Sequence, residues 1–273
     1  MAASPASPPS PSPSPSPSPS SAPSPRALSF DAVAEQYDTA RPGYPPALFD
    51  AVEELSGRPL RGARVLDIGA GTGIATRSLR ARGALVTAVE PGPGMAARLH
   101  RAEPDTPLVR ALGDALPFAD GGADLITYAQ SWHWTDPARS LPEALRVLRP
   151  GGALALWWNV SDARVPWIAD QDIRIRRWAG GDTAHGAHSA GGRGDGLPDG
   201  LAPATRRLPW TRRVSLATHL AQLGSHSVFR VHGDAATAAF LAAERAELLA
   251  RFPDGTVEEA YVAELTVVVR RGR

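Results

Sequence analysis

Val65-Leu66-Asp67-Ile68-Gly69-Ala70-Gly71-Thr72-Gly73 is the stretch that decides the fold. Val65, Leu66 and Ile68 are apolar without a polar alternation, the pattern of a parallel strand covered on both faces. Gly69, Gly71 and Gly73 then allow the backbone to turn tightly beneath a ligand. Ile74 opens a helix, and a strand that turns through glycines into a helix N-terminus is the outline of a nucleotide site. Two patterns share that outline. The dinucleotide fingerprint G-x-G-x-x-G needs glycine or alanine at position 74, where this chain has Ile74. The chain carries D-x-G-x-G-x-G instead, from Asp67 to Gly73.

Composition narrows the classes of chemistry. The 273 residues carry 29 basic and 28 acidic side chains, a balance that argues against a general nucleic-acid or anionic-membrane surface and for a small-molecule partner. All of the basic residues are arginine, so neither a Walker lysine nor a lysine Schiff base is available. Zero cysteines remove disulfides, thiolate nucleophiles and cysteine-ligated zinc, and suit a reducing, cytoplasmic compartment. No G-x-S-x-G elbow is present, which disfavours a serine hydrolase.

Along the chain, residues 1–26 are a Ser/Pro-rich tail that cannot bury apolar area and is expected to be disordered. It lacks the basic start and apolar stretch of a signal peptide. Residues 27–273 are read as one domain, with a cofactor-binding part at 60–158 and a substrate-side and C-terminal part at 159–273. Ser29 caps a helix that places Phe30, Val33 and Tyr37 on one face; a second helix follows Pro45. Strands near 64–68, 85–89, 107–111, 123–129 and 152–158 alternate with helical segments, the doubly wound α/β pattern. Ser140 and Glu143 are spaced as a capping box, so a helix is predicted to begin near Ser140, with Pro137 in the turn before it. Helices are also expected over 165–178 and after an Asp234 cap. The run Gly180–Gly200 holds eight glycines in 21 residues and reads as a flexible insertion, 180–204, that bears on the acceptor rather than on the cofactor. His185, His188 and Asp182 within it are too unconstrained to hold a metal, and no metal is expected. Tyr261–Val269 reads as the last strand.

Four motifs in order resemble class I S-adenosylmethionine-dependent methyltransferases, in the type 11 methyltransferase domain. Asp67, Gly69, Gly71 and Gly73 resemble the family's first motif. Val86–Glu90 resembles its second strand, whose terminal acid accepts from both ribose hydroxyls. Gly113–Phe118 resembles its adenine loop, with Asp114 accepting from the exocyclic amine, and Arg146–Gly152 resembles the turn into its fifth strand. The resemblance spans residues 30–158. It implies a seven-stranded, mostly parallel, Rossmann-like sheet with the last strand antiparallel beside a strand near Thr205–Val214. It implies S-adenosyl-L-methionine as cofactor, bound by Tyr37, Arg41, Asp67, Gly69, Gly71, Gly73, Glu90, Pro91, Met95, Asp114, Ala115 and Gln130. The segment Tyr37–Pro45 resembles the family's N-terminal element over the methionine end, which adds Tyr44 as a candidate.

Crossover handedness gathers Gly69, Glu90, Asp114 and Gln130 into one crevice at the carboxyl ends of the strands. Gln130-Ser131-Trp132-His133-Trp134 opens over that crevice, and S-W-H-W resembles the trans-aconitate methyltransferase-like branch, which implies a small carboxylate or hydroxyl acceptor. His133 is then the expected base or hydrogen-bond partner of the acceptor, with Trp132 or Trp134 as an aromatic wall. Methyl transfer to an oxygen of a small molecule by in-line displacement is the expected function. Two alternatives differ from it in class: a non-catalytic module that binds the same cofactor, and a nicotinamide-dependent oxidoreductase.

Overall fold

The computed structural model describes residues 41–181, 197, 201–226, 228–229 and 232–271. The N-terminal tail, the helix begun at Ser29, Tyr37 and nearly all of the glycine-rich insertion lie outside the described residues. Alternation along the strands assigns the two faces of the sheet. In β1 (Arg64–Ile68) Val65 packs with Leu125, Ala153, Ala155 and Trp157 on one face, while Leu66 and Ile68 pack with Ile126, Tyr128, Leu154 and Leu156 on the other. Both faces are covered, which is why the strands lack polar alternation.

Seven strands form one sheet in the order β3-β2-β1-β4-β5-β7-β6. β2 (Leu85–Val89), β3 (Leu108–Val109), β4 (Ala123–Ala129) and β5 (Leu148–Ser161) are parallel to their neighbours around β1, and β7 (Thr256–Val269) runs antiparallel between β5 and β6 (Ala204–Ser215). The expected seven-stranded sheet with an antiparallel last strand is thus present. Helices α1 (Pro46–Ser56) and α2 (Ile74–Ala81) contribute Leu48, Phe49, Val52, Ala75 and Leu79 to one face. Helix α4 (Pro137–Val147) covers the other with Leu141, Ala144 and Val147, and α3 (Pro93–Ala102) places Leu99 against Ala70 and Ala88. Helices α5 (Pro166–Trp178), α6 (Leu216–Gly224) and α7 (Asp234–Arg251) form a cap beside the carboxyl ends of the strands.

Several boundaries differ from expectation, each for a local reason. Helix α4 starts at Pro137, not Ser140, because the Asp136 side chain accepts from Ala138 N at 3.0 Å and caps it. Ser140 is buried inside the helix, and Glu143, the expected capping partner, accepts instead from Leu116 N at 2.8 Å. Asp234 is the first residue of α7 rather than its cap, which is Gly233. β7 begins at Thr256, earlier than Tyr261, because the acidic Glu259 that hides the strand pattern is satisfied by Arg212 and His219. The insertion was also expected to end at 204 without packing, yet Leu197 and Leu201 lie against the core beside α4.

Candidate functional site

The carboxyl ends of β1, β2, β4 and β5 wall a cavity of about 960 Å³ that continues beneath the cap. Its floor is the glycine turn. Gly69 N and Ala70 N both donate to Val89 O, at 2.8 and 3.1 Å, which clamps the turn to the end of β2. Gly69 has φ +67, and a Cβ there would lie 2.5 Å from Ser131 Cβ, so the approach of this turn to the segment after β4 requires glycine. Gly69→Ala combines left-handed strain with a backbone-proximal overlap. It should cost about 2–5 kcal/mol of stability, read from the urea midpoint.

Glu90 stands at the end of β2 in the cavity wall. Its Oε2 accepts from Gly71 N at 2.8 Å and its Oε1 from Gly92 N at 2.7 Å. Each oxygen is thereby fixed by one backbone donor. Pro91, Met95, Gly71 and Asp114 line the same end, with Ile68, Ile74 and Leu112 supplying apolar surface. Asp114 pairs with Arg139 at 3.4 Å, and its loop is held by Tyr128 OH donating to Gly113 O at 3.1 Å.

Three of the cofactor-binding candidates stand elsewhere. Asp67 is fully buried behind the turn, accepting from Thr76 Oγ1 at 2.6 Å and Thr127 Oγ1 at 2.9 Å, so it braces α2 and β4 against β1 instead of facing the cavity. Burial pushes its carboxyl up to about 6, against the opposing effect of the two hydroxyls. A raised carboxyl penalises folding above about pH 6 and not below its unfolded value, so about 3 kcal/mol of stability is recovered as pH falls through that window. Asp67→Asn cannot ionise, and urea unfolding at pH 7 and pH 4 should show wild type gaining about that amount on the variant at the lower pH. Gly73 caps α2 over Leu99 outside the wall, and Ala115 is turned into the loop, donating from N to Leu112 O at 3.3 Å.

The middle of the cavity belongs to β4 and the segment after it. Gln130 lines it with φ +57, an uncommon conformation for a residue with a side chain, and its Nε2 donates to Tyr44 OH at 3.4 Å. Tyr44 and Arg41 also line this region. His133 and Trp134 line it with rings 4.5 Å apart, whereas Trp132 is buried edge-on against Tyr128 at 4.8 Å. The aromatic wall is therefore Trp134; Trp132 is a core residue, because the 3-10 turn Trp132–Trp134 sends its first side chain inward. Trp158 Nε1 donates to His133 Nδ1 at 3.5 Å. An indole only donates, so the neutral imidazole carries its proton on Nε2.

The far end was not anticipated from the sequence. Trp158, Asn159, Asp162 and Arg164 from the end of β5, Ile168, Asp172 and Arg176 from α5, Gln222 and His226 at α6, and Tyr261 of β7 all line it. Asn159 ties the end of β5 to both sides, donating to Gly43 O at 2.8 Å and accepting from Trp210 Nε1 at 3.1 Å. The one available signal was position: residues just past a parallel strand at a switch point face the crevice. Among the described residues no cluster of three or more His, Asp or Glu could hold a metal, and no helix is long and apolar enough to cross a membrane.

Residues 66–156 match a protein-family model described as a methyltransferase domain. An uncharacterized methyltransferase of Mycobacterium tuberculosis (strain ATCC 25618 / H37Rv) is 43% identical over 144 residues, 53% of this chain and 57% of that protein. A demethylmenaquinone methyltransferase of Beutenbergia cavernae is 38% identical over 136 residues, 46% of this chain and 55% of that one. The chain thus spans little more than half the length of these curated relatives. Among solved structures, a chain from Anaeromyxobacter dehalogenans described as a type II methyltransferase superposes with a TM-score of 0.63 at 24% identity, covering 85% of this chain and 97% of that one. That similarity is one of fold.

Proposed function

We propose that the chain is a class I S-adenosylmethionine-dependent methyltransferase, a reading supported by the methyltransferase domain model that residues 66–156 match, and that it transfers a methyl group from S-adenosylmethionine to an oxygen of a small-molecule acceptor. The observation that carries this reading is Glu90, a carboxylate at the end of β2 in the cavity wall whose two oxygens are oriented by Gly71 N and Gly92 N. The residues present fit the cofactor. Glu90 would accept from the two ribose hydroxyls, Asp114 from the adenine amine, and Ile68, Ile74, Met95 and Leu112 would flank the base, with Gly69 leaving the backbone close. Arg41, Tyr44 and Gln130 would meet the methionine end. When bound, the cofactor supplies a methyl group on a sulfonium for in-line displacement.

The protein's own contribution is alignment and exclusion of water. His133, with its proton on Nε2, would donate to the acceptor oxygen and orient it; for a hydroxyl acceptor it would take up the released proton on Nε2 after moving its own proton to Nδ1 and giving up the Trp158 contact. Trp134 would shield the transfer. The outer chamber between β5, α5 and α6 would hold the acceptor; the S-W-H-W resemblance supports a carboxylate as one such acceptor, and the chamber's Arg164 and Arg176 are paired with Asp162 and Asp172. A small-molecule acceptor, no nucleic acid and a cytoplasmic reaction are part of this reading. Incubating the protein with methyl-labelled cofactor and a panel of small hydroxyl and carboxylic acids tests it. Label transfer to a panel member is expected; cofactor binding without transfer to any acceptor would assign a binding module instead.

A further inference from the structure

The charges that line the outer chamber cancel within it. Among the described residues three arginines line it, and each holds a carboxylate of this chain. Arg164 forks onto Asp162, Nε to Oδ1 at 2.8 Å and Nη2 to Oδ2 at 2.7 Å. Arg176 pairs with Asp172 one turn away on α5, and Arg207 of β6 pairs with Glu264 of β7 at 3.2 Å. The acids are the less exposed members of the first two pairs: the side chains of Asp162 and Asp172 are 11% and 27% exposed, those of Arg164 and Arg176 74% and 49%. The hydrogen bonds from Arg164 hold the Asp162 carboxyl below its usual range, so it stays ionised near neutral pH.

Uncharged polar side chains of the chamber are engaged with the protein as well. Asn159 donates to Gly43 O and accepts from Trp210 Nε1, Tyr261 OH donates to Glu259 Oε2 at 2.9 Å, and Gln222 Nε2 stands 3.1 Å from His226 Nε2. Between them the surface is apolar and rich in rings, with Trp134, Trp158, Val160, Ile168, Val228 and Tyr261 in the wall. The rings of Trp134 and His133 lie 4.5 Å apart, so an aromatic surface and an imidazole reach the same part of that wall.

These features set the charge and shape of the guest. A carboxylate that approached Arg164 or Arg176 would also meet Asp162 or Asp172, and like charges brought together away from water are unfavourable. An ammonium would meet the arginines in the same way. An uncharged molecule disturbs neither pair, and a flat apolar ring gains both buried area and favourable ring geometry against tryptophan. We propose that the acceptor is an uncharged aromatic alcohol, seated with its ring beside Trp134 and its hydroxyl at His133, and that the Arg–Asp pairs of the chamber turn carboxylates away. The proposal rests on the methyl-transfer reading and narrows its acceptor from hydroxyls and carboxylates to the first. In the transfer a bond forms between the alcohol oxygen and the methyl carbon, the carbon–sulfur bond breaks with its electron pair going to sulfur, and the hydroxyl proton goes to His133.

Calorimetric titration of the full chain with 2-naphthol, 2-naphthoate and decahydro-2-naphthol, each with saturating S-adenosylhomocysteine, tests it. At about pH 7 the naphthol is neutral and the naphthoate ionised. 2-Naphthol should bind at least about tenfold more tightly than either of the other two. Asp172→Asn takes the acid from Arg176 and should tighten 2-naphthoate by at least about tenfold. Trp134→Leu should weaken 2-naphthol by about tenfold. No binding of 2-naphthol, 2-naphthoate bound as tightly as 2-naphthol, or no gain of 2-naphthoate in Asp172→Asn would overturn the proposal. So would decahydro-2-naphthol bound as tightly as 2-naphthol, or an unchanged affinity for 2-naphthol in Trp134→Leu. S-adenosylhomocysteine is titrated first: a chain that did not bind it would sink the functional reading, and the comparison of the three probes made without it would still decide the character of the chamber.

Discussion

His133→Ala should lower turnover with a hydroxyl acceptor by about 10²–10⁴ while leaving the dissociation constant of S-adenosylmethionine nearly unchanged. His133 lines the cavity just past the end of β4, and the residues that fit the cofactor, Glu90 and Asp114, come from other strand ends. Removing the imidazole takes away the group proposed to orient the acceptor and accept its proton, together with the pH dependence that an imidazole imposes. A carboxylate acceptor is already ionised and needs only orientation, so the same variant should then lose about tenfold or less. Trp158→Phe offers an internal control. It removes the indole N–H that holds His133 Nδ1 without removing the imidazole, and should cost less turnover than His133→Ala. Full activity of His133→Ala with lowered melting temperature would make His133 a packing residue.

Glu90→Ala should weaken S-adenosylmethionine by about 2–4 kcal/mol, about 30- to 900-fold, because two hydroxyl-to-carboxylate bonds of about 1.5–3 kcal/mol each are lost. The figure stays below the full sum because truncation also frees Gly71 N and Gly92 N, which water can then occupy. Glu90→Gln is a sharper comparison. It keeps the side chain's size but can accept from only one of its two neighbouring amides, so it should bind more weakly than wild type while folding alike. Calorimetric titration reads both variants, and an unchanged dissociation constant in Glu90→Ala would remove the ribose assignment.

What the sequence made legible was local. The glycine turn and Glu90 announce themselves because strand, turn and terminal acid are contiguous, and the parallel sheet reads from apolar runs too short and too continuous for helices. Asp67 was misplaced for a reason visible in the alternation of β1. It shares a face with Val65, so its carboxylate turns inside toward Thr76 and Thr127 while the backbone after it turns toward the cavity. Trp132 and Trp134 are equivalent in a one-dimensional reading, and only the 3-10 turn separates the buried ring from the half-buried one that lines the cavity. The outer chamber was illegible because its parts, Arg164, Arg176, Gln222 and Tyr261, come from segments far apart in sequence and acquire meaning only when β7 inserts between β5 and β6.

The most direct test of the central claim is a pair of calorimetric titrations of the full chain, one with S-adenosylmethionine and one with NAD. Saturable, one-to-one binding of S-adenosylmethionine that is weakened in Glu90→Ala, with no heat of binding for NAD, is the result this account predicts. Binding of NAD in preference to S-adenosylmethionine, or no binding of either, would contradict it.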